Sequence, residues 1–281
     1  LEIVYAWDLT INSNLETIEG QTMDKYFNSN GVSIRYLEQG EGSAIVLIHG
    51  FTGDADGWAQ LQAELAKSHR VIAIDCRGHG RSDKPDEYGR AMADDLLRLL
   101  DHLGITQAVF VGYSMGAEIS LRMTIDNPTR VRALVTGGSA WSGAQDVANY
   151  LRTSDALKGS GSLGPMLADA WPEGQTPSAE DIAAVDSLLA GNDMAALAKI
   201  ANAMPEIINL TETEVASIAV PTLSITGALD PERGNHERMQ GVVQDLTLVV
   251  IEEADHLAAL GHPRFQEAII KFVQTIEFGD L

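Results

Sequence analysis

Ser114 stands in the pentapeptide Gly112-Tyr113-Ser114-Met115-Gly116, directly after the apolar run Ala108-Val109-Phe110-Val111 and ahead of a helix-like stretch, Ala117 to Met123. A serine on a sharp strand-to-helix turn holds its hydroxyl out from the backbone, at the positive end of a helix dipole, which is the setting of an activated nucleophile. Glycine at 112 and 116 fits the same turn, because neighbouring backbone crowds the serine and a Cβ there would clash. Two more residues complete the chemistry. Asp230 follows the short apolar strand Thr222 to Thr226 and a glycine, a pattern that sets a carboxylate at the C-terminal edge of a sheet. His256 comes just after another strand-like run, Leu246 to Ile251. An imidazole placed between a hydroxyl and a carboxylate can take the serine proton and have its charge supported, so Ser114, Asp230 and His256 read as a triad for acyl transfer. Their order along the chain belongs to one of the convergent triad designs, not to those of chymotrypsin or subtilisin.

Acyl transfer also needs donors for the oxyanion of the tetrahedral intermediate. The run Ile45-Val46-Leu47-Ile48 ends in His49-Gly50-Phe51, and the backbone N–H groups of Phe51 and Met115 are the expected pair. His49, at a strand end, reads as a structural loop residue, and His79 sits inside the loop Gly78-His79-Gly80. His69, His102, His236 and His262 fall at predicted helix ends or surfaces, where a solvated histidine is the default. Asp255 is a poor rival acid because a neighbour of His256 points its side chain elsewhere. Asp75 ranks second to Asp230, with a loop context that suits a structural role. Cys76, the only cysteine, has no base assigned beside it and reads as a small, partly buried residue.

These side chains must be carried by a scaffold. Continuous apolar runs read as strands buried on both faces. They occur at the segment ending in Ile48, at Val71 to Asp75, Ala108 to Val111, Val131 to Thr136, Thr222 to Thr226 and Leu246 to Ile251. A hairpin precedes them, Lys25 to Asn28 and Val32 to Glu38 around Ser29-Asn30-Gly31. Helices alternate with the strands. Met92, Leu96, Leu99, Leu100 and Leu103 form one stripe closed by Gly104; Phe265, Ile269, Phe272, Val273 and Ile276 form another after Pro263. Alternation of this kind predicts an α/β fold, a mostly parallel, doubly wound sheet with helices on both faces.

The 281 residues suit one such domain with an insertion. Residues 1–22 read as an N-terminal extension. Residues 23–140 and 218–281 form the core, and 141–217, where the alternation breaks, form the insertion. There Ile182, Val185 and Leu189 make one helical stripe and Met194, Leu197 and Ala201 another. No apolar run approaches the ~18 residues of a membrane span. A leader removed before Leu1 would imply export; otherwise the chain is expected in the cytoplasm. A net charge of −21 repels phosphate backbones and argues against a nucleic-acid partner. No metal-ligand spacing, dinucleotide glycine motif or P-loop stands in the sequence, so neither a metal nor a cofactor is expected.

The motifs together resemble the α/β-hydrolase fold superfamily, in the group with an oxyanion loop of the His-Gly-Phe type and a small helical cap. Asp75-Cys76-Arg77-Gly78-His79-Gly80-Arg81-Ser82-Asp83 is similar to the D-x-R-G-x-G-x-S loop after the fourth strand of that group. The resemblance runs from about Tyr26 to the C-terminus. It implies that 141–217 is the cap, which covers the triad, excludes water and shapes the pocket. Trp58, Tyr113, Trp141, Met166 and Trp171, with Phe51 and Met115, are the candidate pocket residues. The expected partner is a small to medium uncharged carboxylic ester, processed through an acyl-enzyme. Hydrolysis of a carbon–carbon bond, or of a lactone, uses the same triad and stays open. So does a low-turnover ligand receptor on the same fold. Relatives that hydrolyse epoxides or haloalkanes carry an aspartate nucleophile, and this chain has Ser114.

Overall fold

The computed structural model describes residues 23–164 and 176–276. Eight strands form one sheet, in the order β1-β2-β4-β3-β5-β6-β7-β8. The hairpin comes first, β1 (Lys25–Ser29) and β2 (Val32–Gln39). Its connection is a two-residue turn, with φ of 52° at Asn30 and 91° at Gly31, the left-handed pair that matches strand twist. The sequence predicts a three-residue turn; Ser29 instead ends β1, where it pairs with Val32.

The next strands are β3 (Ala44–Ile48), β4 (Arg70–Ile74) and β5 (Ala108–Tyr113). They are followed by β6 (Val131–Gly137), β7 (Thr222–Gly227) and β8 (Leu246–Ile251). From β4 onward across the sheet the pairing is parallel; β1 with β2 and β2 with β4 are antiparallel. The central strands β3 and β5 are buried at every position, which explains their unbroken apolar runs. Both extend to the edge where the functional residues emerge.

Helices cover both faces. One buried cluster joins Met92, Leu96 and Leu99 of α2 (Arg90–Leu103) to Ile119 and Met123 of α3 (Met115–Asp126). The other joins Leu61 and Leu65 of α1 (Ala59–Leu65) to Phe265, Ile269 and Val273 of the C-terminal helix, Pro263–Thr275. The segment after β6 carries α4 (Ala144–Gly159), α5 (Ala179–Asp186) and α6 (Met194–Ala203). Leu157, Leu189, Leu197 and Ile200 from this segment belong to the same buried cluster as Phe51, Met115 and Ile119. These residues therefore share one core with the elements that carry the predicted oxyanion donors. Asn192 Nδ2 also donates to Thr52 O at 3.1 Å, one residue past Phe51. Among the described residues no helix is long and apolar enough to cross a membrane.

Candidate active site

Ser114 sits between β5 and α3 with φ 51° and ψ −121°, a conformation that costs a non-glycine residue about 1–3 kcal/mol. The surroundings impose it. Ser114 N–H donates to Gly137 O on β6 at 2.7 Å, and the Ser114 carbonyl accepts Ala117 N–H at 2.8 Å as the helix begins. The flanking glycines are required by contact. A Cβ on Gly112 would stand 2.2 Å from Gly116 O, and one on Gly116 would stand 2.2 Å from Ile48 O. Only at this closeness can the start of α3 reach the end of β3.

Asp230 and His256 arrive on adjacent loops. Strands β7 and β8 end in register, Gly227 beside Ile251. Beyond them Ala228 N–H donates to Ile251 O and Leu229 N–H to Ala254 O, both at 2.9 Å. These stitches bring the acid and the imidazole together. His256 Nδ1 lies 3.0 Å from Asp230 Oδ2, and His256 Nε2 lies 3.0 Å from Ser114 Oγ. The Tyr113 hydroxyl donates to the His256 carbonyl, and its ring packs edge-on against Phe265. Burial pulls the imidazole pKa down, but the hydrogen bond and charge of Asp230, with Glu232 and Asp255 adding, hold it up at about 9. Such an arrangement can pass a proton from the hydroxyl to the ring and support the cation that forms.

The loop expected to supply the first oxyanion donor is gripped by two buried histidines. His49 Nε2 accepts Cys76 N–H at 3.0 Å, so its one proton is on Nδ1, which donates to Gly50 O at 2.7 Å. Gly50 C=O and Phe51 N–H belong to one planar trans peptide, so the bond that holds the carbonyl also aims the N–H the opposite way. His79 Nε2 donates to Phe51 O at 2.7 Å. Burial keeps both rings neutral, with His79 pushed down to about 3 and His49 below its ordinary value. A Cβ on Gly50 would lie 3.4 Å from Ser114 Cβ, which sets this peptide beside the hydroxyl. Among the described residues neither the Phe51 nor the Met115 N–H donates a hydrogen bond.

The remaining predicted residues fall in several places. Asp75 is fully buried and accepts from Arg35, Ala55 N–H and Arg81 N–H. Asp255 caps the short helix His256–Gly261 through Leu257 and Ala258 N–H. Cys76 is buried, and burial pushes its thiol up. Trp58, proposed for the pocket, is 4% exposed and lies in the core cluster of Leu61 and Leu65. Tyr113 is buried behind the imidazole. Trp141 is half-buried, donating to Leu210 O at 3.1 Å with the Arg238 guanidinium 4.8 Å above its ring. Met166 and Trp171 lie outside the described residues. His236 corrects the surface reading. It is fully buried, its Nδ1 2.6 Å from Ser224 Oγ on β7, because its helix, Arg233–Gln240, packs that face against the sheet. Sequence reasoning missed Glu118, Glu232 and Tyr150, discussed below.

Fold and site together find counterparts among known proteins. The family model for the alpha/beta hydrolase fold matches residues 43–156, which include the His-Gly-Phe loop and the Ser114 turn. The chain has an α/β-hydrolase fold. It is 40% identical over 116 residues to 2-hydroxymuconate semialdehyde hydrolase of Pseudomonas sp. (strain CF600), a match covering 39% of this chain and 41% of that one. Among solved structures, a hydrolase from Pseudomonas aeruginosa PA01 superposes with a TM-score of 0.75 at 25% identity, covering 90% of this chain and 99% of that chain. An N-acyl homoserine lactone degrading enzyme superposes at 0.70 with 28% identity, covering 88% and 100%. The chain spans less than half of the first curated relatives it matches, 40% and 29% of their lengths.

The acid member has its own expected result. Asp230→Asn keeps the shape but presents the wrong partner to His256 Nδ1, so the ring loses its orientation and the support for its charge. The expected loss in kcat is about 10³–10⁴-fold, read by steady-state kinetics with folding checked by circular dichroism.

Proposed function

We propose that this protein is a serine hydrolase that cleaves small to medium uncharged carboxylic esters through an acyl-enzyme. The observation that carries the reading is the 3.0 Å approach of His256 Nε2 to Ser114 Oγ, with Asp230 at 3.0 Å on the far nitrogen. In this scheme His256 takes the Ser114 proton as the oxygen attacks the ester carbonyl. The Phe51 and Met115 N–H groups receive the oxyanion. As the intermediate collapses, the leaving alcohol takes the proton from His256. Water then repeats the sequence on the acyl-enzyme and frees the acid. Residues 141–217 act as the cap over this site. A serine at 114 also separates the chain from the epoxide-hydrolysing reading, which needs a carboxylate nucleophile.

A second reading has specific support. The similarity to a 2-hydroxymuconate semialdehyde hydrolase and to a lactone-degrading enzyme favours carbon–carbon bond hydrolysis or lactone opening by the same residues. Both test together. Wild-type protein is compared by kcat/KM on short p-nitrophenyl esters, simple lactones and a vinylogous 1,5-diketone over about pH 6–9. The ester reading expects the first class to lead by tenfold or more. A lead by the diketone or the lactones transfers the assignment to that class. Stoichiometric labelling of Ser114 by a fluorophosphonate is expected in every case. An unlabelled protein after long exposure would leave the low-turnover receptor as the surviving account.

A further inference from the structure

Beside the proposed triad lie two carboxyls that the acyl-transfer scheme does not use, Glu118 and Glu232. Glu118 stands one turn past Ser114 on α3 and is 3% exposed. Three hydroxyls converge on it: Tyr150 from α4 at 2.6 Å on Oε2, then Ser142 at 2.8 Å and Ser139 at 3.1 Å on Oε1. Glu232 stands two residues past Asp230. Its N–H donates to Asp230 Oδ1 at 2.9 Å, while Asp230 Oδ2 holds His256 Nδ1 at 3.0 Å. Glu232 and His256 are thus fastened to opposite oxygens of one carboxylate. Glu232 Oε2 is buried and has no hydrogen-bond partner among the described residues. An open acceptor in a buried site is costly and calls for a role.

We propose that Glu232 is a positioning residue, a second carboxylate that stabilises the protonated His256 imidazole, and that Ser139 and Glu118 connect it to Tyr150 on α4. The proposal rests on the triad reading above. The groups facing His256 are Asp230, Glu232 and Asp255, with the neutral His236 and the Tyr113 ring behind it. Those facing Glu232 are His256, Glu118 and Asp230, with Ser139 in hydrogen-bond reach; Asp146 acts on Glu118.

Burial pushes Glu232 up to about 8, with His256 opposing and Glu118 and Asp230 adding to the rise. Burial pushes Glu118 up to about 7, against the pull of its three hydroxyl donors. The charge of an ionised Glu232 helps to keep the proton on the His256 ring. Ser139 has a single hydroxyl proton to give. While Ser139 donates to Glu118, it can bond Glu232 only by accepting from the protonated carboxyl. An ionised Glu232 competes with Glu118 for the Ser139 proton.

Glu232→Gln keeps the shape and removes the charge. The titration of His256 is followed by its imidazole NMR signals over about pH 6–10, beside the acidic limb of kcat/KM on a short p-nitrophenyl ester. Both are expected to fall by about one pH unit, because an opposite charge near the ring has been withdrawn. Glu232→Asp should recover part of the shift. Ser139→Ala, which strips a donor from Glu232, should move both in the same direction by less, and it carries the comparison if Glu232→Gln does not fold. A His256 titration within about 0.2 unit of wild type in the folded variants overturns the proposal, whatever the activity. A shifted NMR titration without any ester turnover keeps the action of Glu232 on the imidazole and sinks the acyl-transfer reading instead.

Discussion

Ser114→Ala is expected to lower kcat on a responsive ester by about four to six orders of magnitude while leaving the melting temperature unchanged. The substitution removes one oxygen and keeps the backbone turn, so the φ of 51° and its cost remain. What disappears is the atom 3.0 Å from His256 Nε2. His256→Ala should cost a comparable amount, and the double variant Ser114→Ala/His256→Ala should be no worse than either alone. Residues that hand on one proton act as a unit, and their losses do not add. A loss of only a few-fold in the single variants, measured after removing any contaminating esterase, would place the chemistry elsewhere in the protein.

Gly116→Ala should be less damaging to activity and far worse for stability. Its new methyl would stand 2.2 Å from Ile48 O, at the end of β3, and 2.6 Å from His49 O just beyond it, both backbone atoms that cannot rotate away. Relief requires α3 to lift off the sheet edge. The expected cost is about 3 kcal/mol or more, read as a lower urea midpoint with an unchanged slope. The fraction that still folds should lose a further ~10²–10³ in kcat, because both proposed oxyanion donors border the displaced contact. Titrating active serines with a fluorophosphonate separates the two effects. Gly261→Ala is the control: a Cβ there meets nothing within 4 Å and should change neither quantity. Full activity in folded Gly116→Ala would show that this close packing does not set the donors.

The fold was legible because burial on both faces leaves a plain trace. Strands such as β3 and β5 are buried at every position, and short apolar runs bounded by turn residues record that burial. The Ser114 turn was legible for a similar reason, since two glycines flank it where backbone meets backbone. Boundaries were less so. Helix α3 runs Met115–Asp126 rather than Ala117 to Met123, because hydrogen bonding to the Ser114 carbonyl and the packing of Ile125 extend it beyond the apolar pattern. The charged surroundings of the imidazole were not legible. Glu118 in the first turn of a helix and Glu232 after a turn look like ordinary solvated acids. Only the packing of Ser139, Ser142 and Tyr150 around the first, and the tether to Asp230 on the second, make them otherwise. His236 fails in the same way, since nothing local announces that its helix turns inward onto Ser224. Trp58 shows the converse. An aromatic residue near the loop suggested a ligand wall, but its neighbours make it part of the core.

The cross-loop bonds from Ala228 to Ile251 and from Leu229 to Ala254 have a mechanical consequence. The proposed acid and base ride on a single cross-bonded bracket, while the proposed nucleophile is mounted separately on the opposite side of β6. The tolerance that matters for turnover is therefore the alignment of two rigid mountings across one intervening strand, and it is there that distant substitutions in the sheet would be felt.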